Sequence, residues 1–253
     1  MNGTGQADLP GRGERPPRRL VVAAFAFAVT LAVQLTACLW VLSAGAPTAL
    51  ALLLAATWAV LTAPVFAASS PGPSGVLACG AAVAAAWAIS LAVLAAGSPA
   101  LSWMGAGKIF VLFSAVALAQ CAFVGLSRRR QRRYVLAALA ALAMVIISAG
   151  PFWTNGAVHY AGQPGKLRIA TVTVAVNPVF ALAGCLARGA FLWHECPILY
   201  EFTVLGRDEV QMPVLPWFLT AGIYGLLAAA LVLVGLLRGR WGRRRAGVPG
   251  GGG

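Results

Sequence analysis

The sequence predicts an all-α fold: a polytopic membrane helix bundle of six transmembrane helices, with an extracytoplasmic re-entrant or interfacial helical insertion before the last span. Three observations carry that expectation. Of the 253 residues, 60% are apolar and only 10% are charged, against roughly 25% charged in soluble domains. The mean hydropathy of +0.84 does not fit a soluble core, because a chain of this size must still cover its surface with polar groups. Between Glu14 and Glu195 there is no Asp or Glu. That gap removes paired-carboxylate acid/base chemistry, aspartyl nucleophiles and carboxylate metal cages from most of the chain.

Residues 1–19, rich in Gly, Pro and Arg, read as a disordered basic tail. A spanning helix needs about 20 apolar residues, since a rise of about 1.5 Å per residue must cover about 30 Å of hydrocarbon. Six segments meet that requirement without a charged side chain: 20–43, 48–68, 75–97, 109–126, 134–153 and 216–237. The third is built largely of Ala and Gly and belongs inside the bundle, where small residues let backbones approach. Ala221 and Gly225 give the last span similar small-residue spacing. The polar residues noted within spans are Gln34, Thr57, Ser90, Ser114, Gln120 and Ser148, read as interhelical hydrogen-bonding groups. Residues 238–253 form a second basic, Gly-rich tail.

A seventh apolar stretch, 169–193, is interrupted by Asn177-Pro178 and carries Arg188. Charge counting decides that it does not cross. Arg12, Arg15, Arg18 and Arg19, then Arg128, Arg129, Arg130, Arg132 and Arg133, then Arg238, Arg240 and Arg243 to Arg245 make fourteen of the nineteen basic residues. The positive-inside rule puts all three clusters in the cytoplasm, which requires an even number of crossings. Six crossings leave both termini inside and residues 154–215 as one outer insertion of zero net charge. Trp40, Trp103, Trp153, Trp193 and Trp217 then fall at outer boundaries, where tryptophan is favoured. The pI near 11 therefore records topology, with no nucleic acid implied. Arg128 to Arg130, Arg132 and Arg133 are placed to meet membrane lipids through anionic headgroups.

Within the insertion, Asn177 suits an N-cap and Pro178 the first helical position. Residues 171–176 are ambiguous between helix and strand. Residues 191–200 are amphiphilic and suit an interfacial lid. Non-spanning helices at membrane depth need protein or a water cavity to satisfy their ends, so this segment is the candidate outer gate: Asn177, Pro178, Arg188, Trp193, His194, Glu195, Tyr200 and Glu201.

Several short motifs fail on context. Gly105-Ala-Gly-Lys108 echoes a phosphate loop, but Ser102 stands where its first glycine belongs and Ile109 replaces the magnesium-binding hydroxyl. Gly72-Pro-Ser74-Gly75 matches the G-x-S-G of rhomboid proteases, yet the topology puts Ser74 inside and His159 and His194 outside, where no proton can be shared. Leu35-Thr-Ala-Cys38 resembles a lipoprotein processing box, but Leu39-Trp-Val-Leu42 stays apolar where a processed chain would turn polar. His194-Glu195-Cys196 with His159 matches no familiar zinc spacing. Cys38, Cys79 and Cys121 fall in spans as small apolar residues, whereas Cys185 and Cys196 are both outside and can pair in an oxidising compartment. No catalytic, cofactor or metal residue is assigned.

Six spans with cytoplasmic termini, a basic N-terminal approach and the Asn177-Pro178-Val-Phe-Ala-Leu182 insertion resemble the membrane subunit of ABC-2-type transporters. In that family the outer insertion between the fifth and sixth spans forms re-entrant helices capping the exit path. The resemblance implies a bacterial cell-membrane permease, working as a homo- or heterodimer and powered by a separate ATPase subunit. It departs from the family between the second and third spans, where a charged, ATPase-engaging helix usually sits. Here the loop is only Ser69-Ser-Pro-Gly-Pro-Ser-Gly75. The alternative is a membrane scaffold or assembly protein binding another membrane protein through residues 177–200. A third class, an enzyme acting on lipid-linked substrates, would have to use His159, His194, Glu195 or Glu201.

Overall fold

The computed structural model describes residues 18–45, 48–183, 185 and 215–246. The tails 1–17 and 247–253, and with them Arg12 and Arg15, lie outside the described residues. All regular structure among the described residues is helical, in the order α1 (Arg18–Ala44), α2 (Thr48–Ser69), α3 (Gly72–Gly97), α4 (Trp103–Gly125), α5 (Arg130–Ser148), α6 (Gly150–Tyr160), α7 (Gln163–Val176), α8 (Pro178–Ala183) and α9 (Trp217–Ala246). Of these, α1 to α5 and α9 are long and apolar enough to cross a membrane. Hydrocarbon offers the backbone no hydrogen-bond partner, so a helix that pairs its own N–H and C=O groups is the only open-chain solution for such sequences.

Three helices make the interior. The most apolar windows of α2, α3 and α4 are 44–50% buried, against 22% for α1, α5 and α9, so the last three form the outer ring. The inward placement expected for the Ala-rich third span is what the structure shows: α3 packs on α1, α2 and α4. At its end, Gly97 lies so close to α1 that an added Cβ would stand 2.8 Å from a Leu42 methyl. The main core gathers Val41, Leu52, Leu91, Ile109 and Leu112 around the Trp87–Phe113 edge-to-face pair, whose ring centroids are 5.6 Å apart. A second core of smaller residues, Ala63, Ala67, Val83, Cys121 and Val124, continues toward the arginine-bearing end.

A tight corner joins α2 and α3. Gly45 and Gly72 both have φ near +65° (63° and 69°), a left-handed conformation that side chains with a Cβ rarely adopt. Gly72 lets the chain reverse between α2 and α3 across only Ser70 and Pro71. Arg133, 6% exposed, fixes that corner: its Nε donates to Ser127 O and its Nη1 to Ser70 O, both at 2.7 Å. One guanidinium thus joins the α2–α3 corner to the α4–α5 loop.

The helix ends depart from the sequence expectation at five places. Arg18 and Arg19 belong to α1, not to the tail. The fourth span starts at Trp103, six residues before its expected start, so Lys108 stands inside a helix; Ser102 caps it by accepting from Gly105 N at 3.0 Å. The fifth span begins within the arginine cluster at Arg130 and stops at Ser148, where Gly150 and Pro151 open a new helix. The last helix runs through 238–246 instead of giving way to a tail. Apart from the stop at Ser148, which the Gly150-Pro151 restart sets, these shifts share a cause: Arg and Lys are good helix formers whose long stems let the charge reach water from a helix end. Finally, the buried stripe of α9 is Thr220, Ala221, Tyr224 and Ala228, and Gly225 faces open space. The Ala221/Gly225 spacing is therefore not a packing seam within the chain.

Candidate functional site

The most unusual chemistry lies at the end away from the arginines, where α5, α6, α7, α8 and α9 meet. α5 breaks at Ala149, α6 leaves, and α7 returns beside it after the two-residue link Ala161–Gly162. Residues 171–176 are helical, part of α7. The return is close: a Cβ on Gly150 would stand 3.0 Å from Thr173 Cγ2. Each break leaves carbonyls without an intrahelical donor, and leaving them unpaired in an apolar setting is costly.

Asn177, fully buried, resolves two of these problems at once. Its Nδ2 donates to Ile147 O at 2.9 Å and Ser148 O at 3.2 Å, closing the end of α5. Its Oδ1 accepts from Val179 N at 3.0 Å and Phe180 N at 3.4 Å, opening α8 as the expected N-cap, with Pro178 first in the helix. The end of α7 is closed from α9. Thr220 Oγ1 donates to Ala175 O at 2.9 Å, and Tyr224 OH to Val176 O at 2.8 Å. Tyr224 OH also lies 3.7 Å from Met144 Sδ on α5. Thr154 Oγ1 bonds back to Gly150 O at 2.7 Å. Every one of these groups is neutral, so the helix ends are closed here without ion pairs.

α8 then turns into the main core through Ala181, Leu182 and Cys185. A Cβ on Gly105 would stand 3.0 Å from Cys185 O. That contact explains the glycine of the Gly105-Ala-Gly-Lys108 pattern as room for a neighbouring backbone. Burial pushes the Cys185 thiol up to about 12, with Lys108 pulling weakly the other way.

The expected site residues divide into three groups. Asn177 and Pro178 are at the junction. Arg188, Trp193, His194, Glu195, Tyr200 and Glu201, with Cys196, lie outside the described residues. Arg128, Arg129, Arg130, Arg132 and Arg133 gather at the opposite end, near Arg18 and Arg238. Trp40, Trp103, Trp153 and Trp217 stand at helix ends away from the arginines, and Trp153 Nε1 donates to Ile146 O at 2.7 Å. Ser74 is at the arginine end, 3.4 Å from Arg19 Nη1, while the exposed His159 is on α6, separated from it by the length of α5, about 28 Å. No grouping of three metal-binding side chains occurs among the described residues.

Thr220, Tyr224, Gly150 and Thr173 were not singled out by the sequence. A signal was available: two hydroxyls four residues apart share one face of α9, and Gly150-Pro151 is a helix-restart signature. Of the polar residues expected to bond between helices, Gln34 and Ser90 do so, with Ser90 Oγ donating to Gln34 Oε1 at 3.1 Å. Ser114 Oγ and both amide atoms of Gln120 have no partner among the described residues. No family model, curated protein or solved structure matches the chain, so its own geometry carries the functional reading.

Proposed function

We propose that the chain is a permease-like membrane subunit of an ABC-type transport complex, set in the cell membrane with both termini cytoplasmic and powered by a separate ATPase. The observation that best supports this reading is the break at Asn177. Interrupted helices at membrane depth are characteristic of transport proteins, where they flank the path of the transported species. A junction held by a few bonds between neutral groups can open without separating buried charges, which suits a gate. In this reading α6, α7, α8 and the residues that follow, through Glu201, gate the outer side, α2 to α4 form the static core, and hydrolysis belongs to the partner.

The test uses the complex purified from native membranes through a tag on this chain, with spin labels at the exposed residues Leu167 on α7 and Leu226 on α9. An ATPase is expected to co-purify. The inter-label distance is expected to change by about 5 Å or more between nucleotide-free and vanadate-trapped states, the scale of a one-turn helix shift. Absence of an ATPase from both the purified complex and the neighbouring genes would refute the proposal.

One observation favours a second reading, a scaffold or assembly protein. The α2–α3 corner is two residues long and clamped by Arg133, so no helix projects there to engage an ATPase. A scaffold would instead co-purify with a membrane protein that is not an ATPase, and lose it when residues 177–200 are replaced.

A further inference from the structure

At the arginine-bearing end the described residues enclose a cleft of about 790 Å³, within the roughly 300–1,000 Å³ typical of ligand sites. Its rim is cationic: Arg18 from α1, Arg128 from the α4–α5 loop, Arg130 and Arg133 from α5, and Arg238 from α9. Its walls are apolar, with Val76 and Leu77 on one side and Leu231, Val232 and Leu236 on the other. Gly235 also lines it, and nothing lies within 4 Å of where its Cβ would be.

Among the described residues the charges at this rim are all positive. The described residues contain no Asp or Glu at all. Arg133 is buried, and the groups its guanidinium reaches are the neutral carbonyls of Ser127 and Ser70, which accept hydrogen bonds without cancelling its charge. Arg18, Arg128, Arg130 and Arg238 are exposed at the mouth, where like charges gathered around one opening over low-dielectric walls set up a positive potential that attracts an anion. The apolar walls below call for hydrocarbon. Both demands are met by one molecule with a phosphate at its head and an acyl chain behind it.

We infer that this cleft is a specific site for one anionic phospholipid, its phosphate among Arg18, Arg128, Arg130 and Arg238 and one acyl chain in the slot between α3 and α9. Arg129 and Arg132 do not line the cleft and take no part in it. The site goes beyond general attraction of basic residues to a membrane surface, because it distinguishes arginines only a residue apart. It is independent of whether an ATPase partner exists.

The test titrates detergent-purified full-length protein with phosphatidylglycerol, phosphatidylcholine or inorganic phosphate, following bound lipid by native mass spectrometry. Wild-type protein is expected to retain one phosphatidylglycerol at least about tenfold more tightly than phosphatidylcholine, and 10 mM phosphate (roughly 10⁻² M) is not expected to displace it. The pair Arg128→Gln with Arg238→Gln is expected to weaken retention about tenfold or more, whereas Arg129→Gln with Arg132→Gln, equal in charge lost, leaves it within about twofold. Gly235→Leu keeps every arginine but fills the slot, and is expected to reduce lipid retention as strongly. Equal losses in the two arginine pairs would overturn the site in favour of diffuse attraction. Equal retention of the two lipids would also overturn it. Displacement by free phosphate together with an unaffected Gly235→Leu would mean an anion site without an acyl slot, which is equally a refutation. The comparison between lipids needs no variant and stands even if the arginine pair misfolds.

Discussion

Replacing Asn177 by Leu tests the junction most directly, because the two side chains share a branched four-heavy-atom skeleton and differ in hydrogen-bonding capacity. Four bonds disappear together: two carbonyls at the end of α5 lose their donor, and two amides at the start of α8 lose their acceptor. An orphaned buried group costs about 1–3 kcal/mol, and three of these four bonds are only part-buried. Taking the low end for all four, the loss is about 4 kcal/mol, a large share of the roughly 5–15 kcal/mol that holds a domain folded. At about 2–4 °C per kcal/mol for a chain of this size, the melting temperature should fall by about 8–16 °C. The eight tryptophans provide an intrinsic fluorescence readout of the melt in detergent. Asn177→Asp sharpens the experiment. It keeps the N-cap acceptor but turns the α5-facing atom into an acceptor opposite two carbonyls, which raises the carboxyl pKa in the fold. A raised folded pKa means stability fully present below the unfolded value of about 3.9 and lost as pH climbs through the folded pKa. The Asp variant should therefore melt higher in acid than at neutral pH relative to wild type. A Leu variant melting within about 2 °C of wild type would refute the reasoning that these four bonds hold the junction.

Three further predictions address other parts of the bundle. Gly105→Ala pushes a methyl to 3.0 Å from the Cys185 carbonyl and should lower stability by about 1 kcal/mol or more. Gly107→Ala faces open space and should be neutral or stabilising by up to about 1 kcal/mol. Equal melts of the two variants would contradict the contact. Gln120→Leu removes two buried amide atoms that lack partners, so the melting temperature of the isolated chain should rise, reflecting about 1–3 kcal/mol; a fall would mean that the amide is satisfied by another subunit or by water. Cys185, with its thiol pushed up to about 12 by burial, should be only about one part in ten thousand thiolate at pH 8 and alkylate far more slowly than the same cysteine in denaturant. Because that folded pKa is raised, the thiol's contribution to stability is intact below pH 9 and declines between about 9 and 12. Rapid site-resolved labelling of Cys185 at pH 8 in folded protein would show that α8 leaves the core readily.

The six spans were legible because hydropathy acts over windows of about 20 residues, which averages out local detail. Their ends were not, because charge alone marks Lys108 and the Arg128 to Arg133 cluster as loop residues, whereas long cationic side chains remain in helices and extend toward water. Asn177-Pro178 was readable as a helix start because capping is local, settled within three residues. The partners of Asn177 were not. The amide reaches back across 30 residues to Ile147, and no periodicity encodes that distance. Thr220 and Tyr224 illustrate the same limit from the other side. They look like ordinary polar residues in an apolar helix until the end of α7 is known to arrive at their face. Gln120 shows the converse, since a polar residue in a span was expected to bond to a neighbouring helix and instead lies buried with neither amide atom paired among the described residues.

The two ends of the bundle handle polarity by opposite means. Where α5, α7 and α9 meet, backbone groups freed by helix breaks are matched by Asn177, Thr220 and Tyr224, so the junction is neutral and internally satisfied. A ligand would have to displace bonds already made there, and would recover little for doing so. At the arginine end, the carbonyls of the corner are matched by Arg133, yet the positive charge that does the matching is not cancelled by any described residue. A ligand of opposite charge breaks no ion pair among the described residues and meets exposed guanidiniums with charge-assisted hydrogen bonds. In the proposed reading, binding and movement sit at different ends: helices part at the junction, and a charged amphiphile is held in the cleft. Two helices reach both ends: α9 caps α7 with Thr220 and Tyr224 and lines the cleft with Leu231, Gly235 and Arg238, while α5 lines the cleft with Arg130 and Arg133 and ends on the Asn177 amide, so coupling between the ends has these two routes.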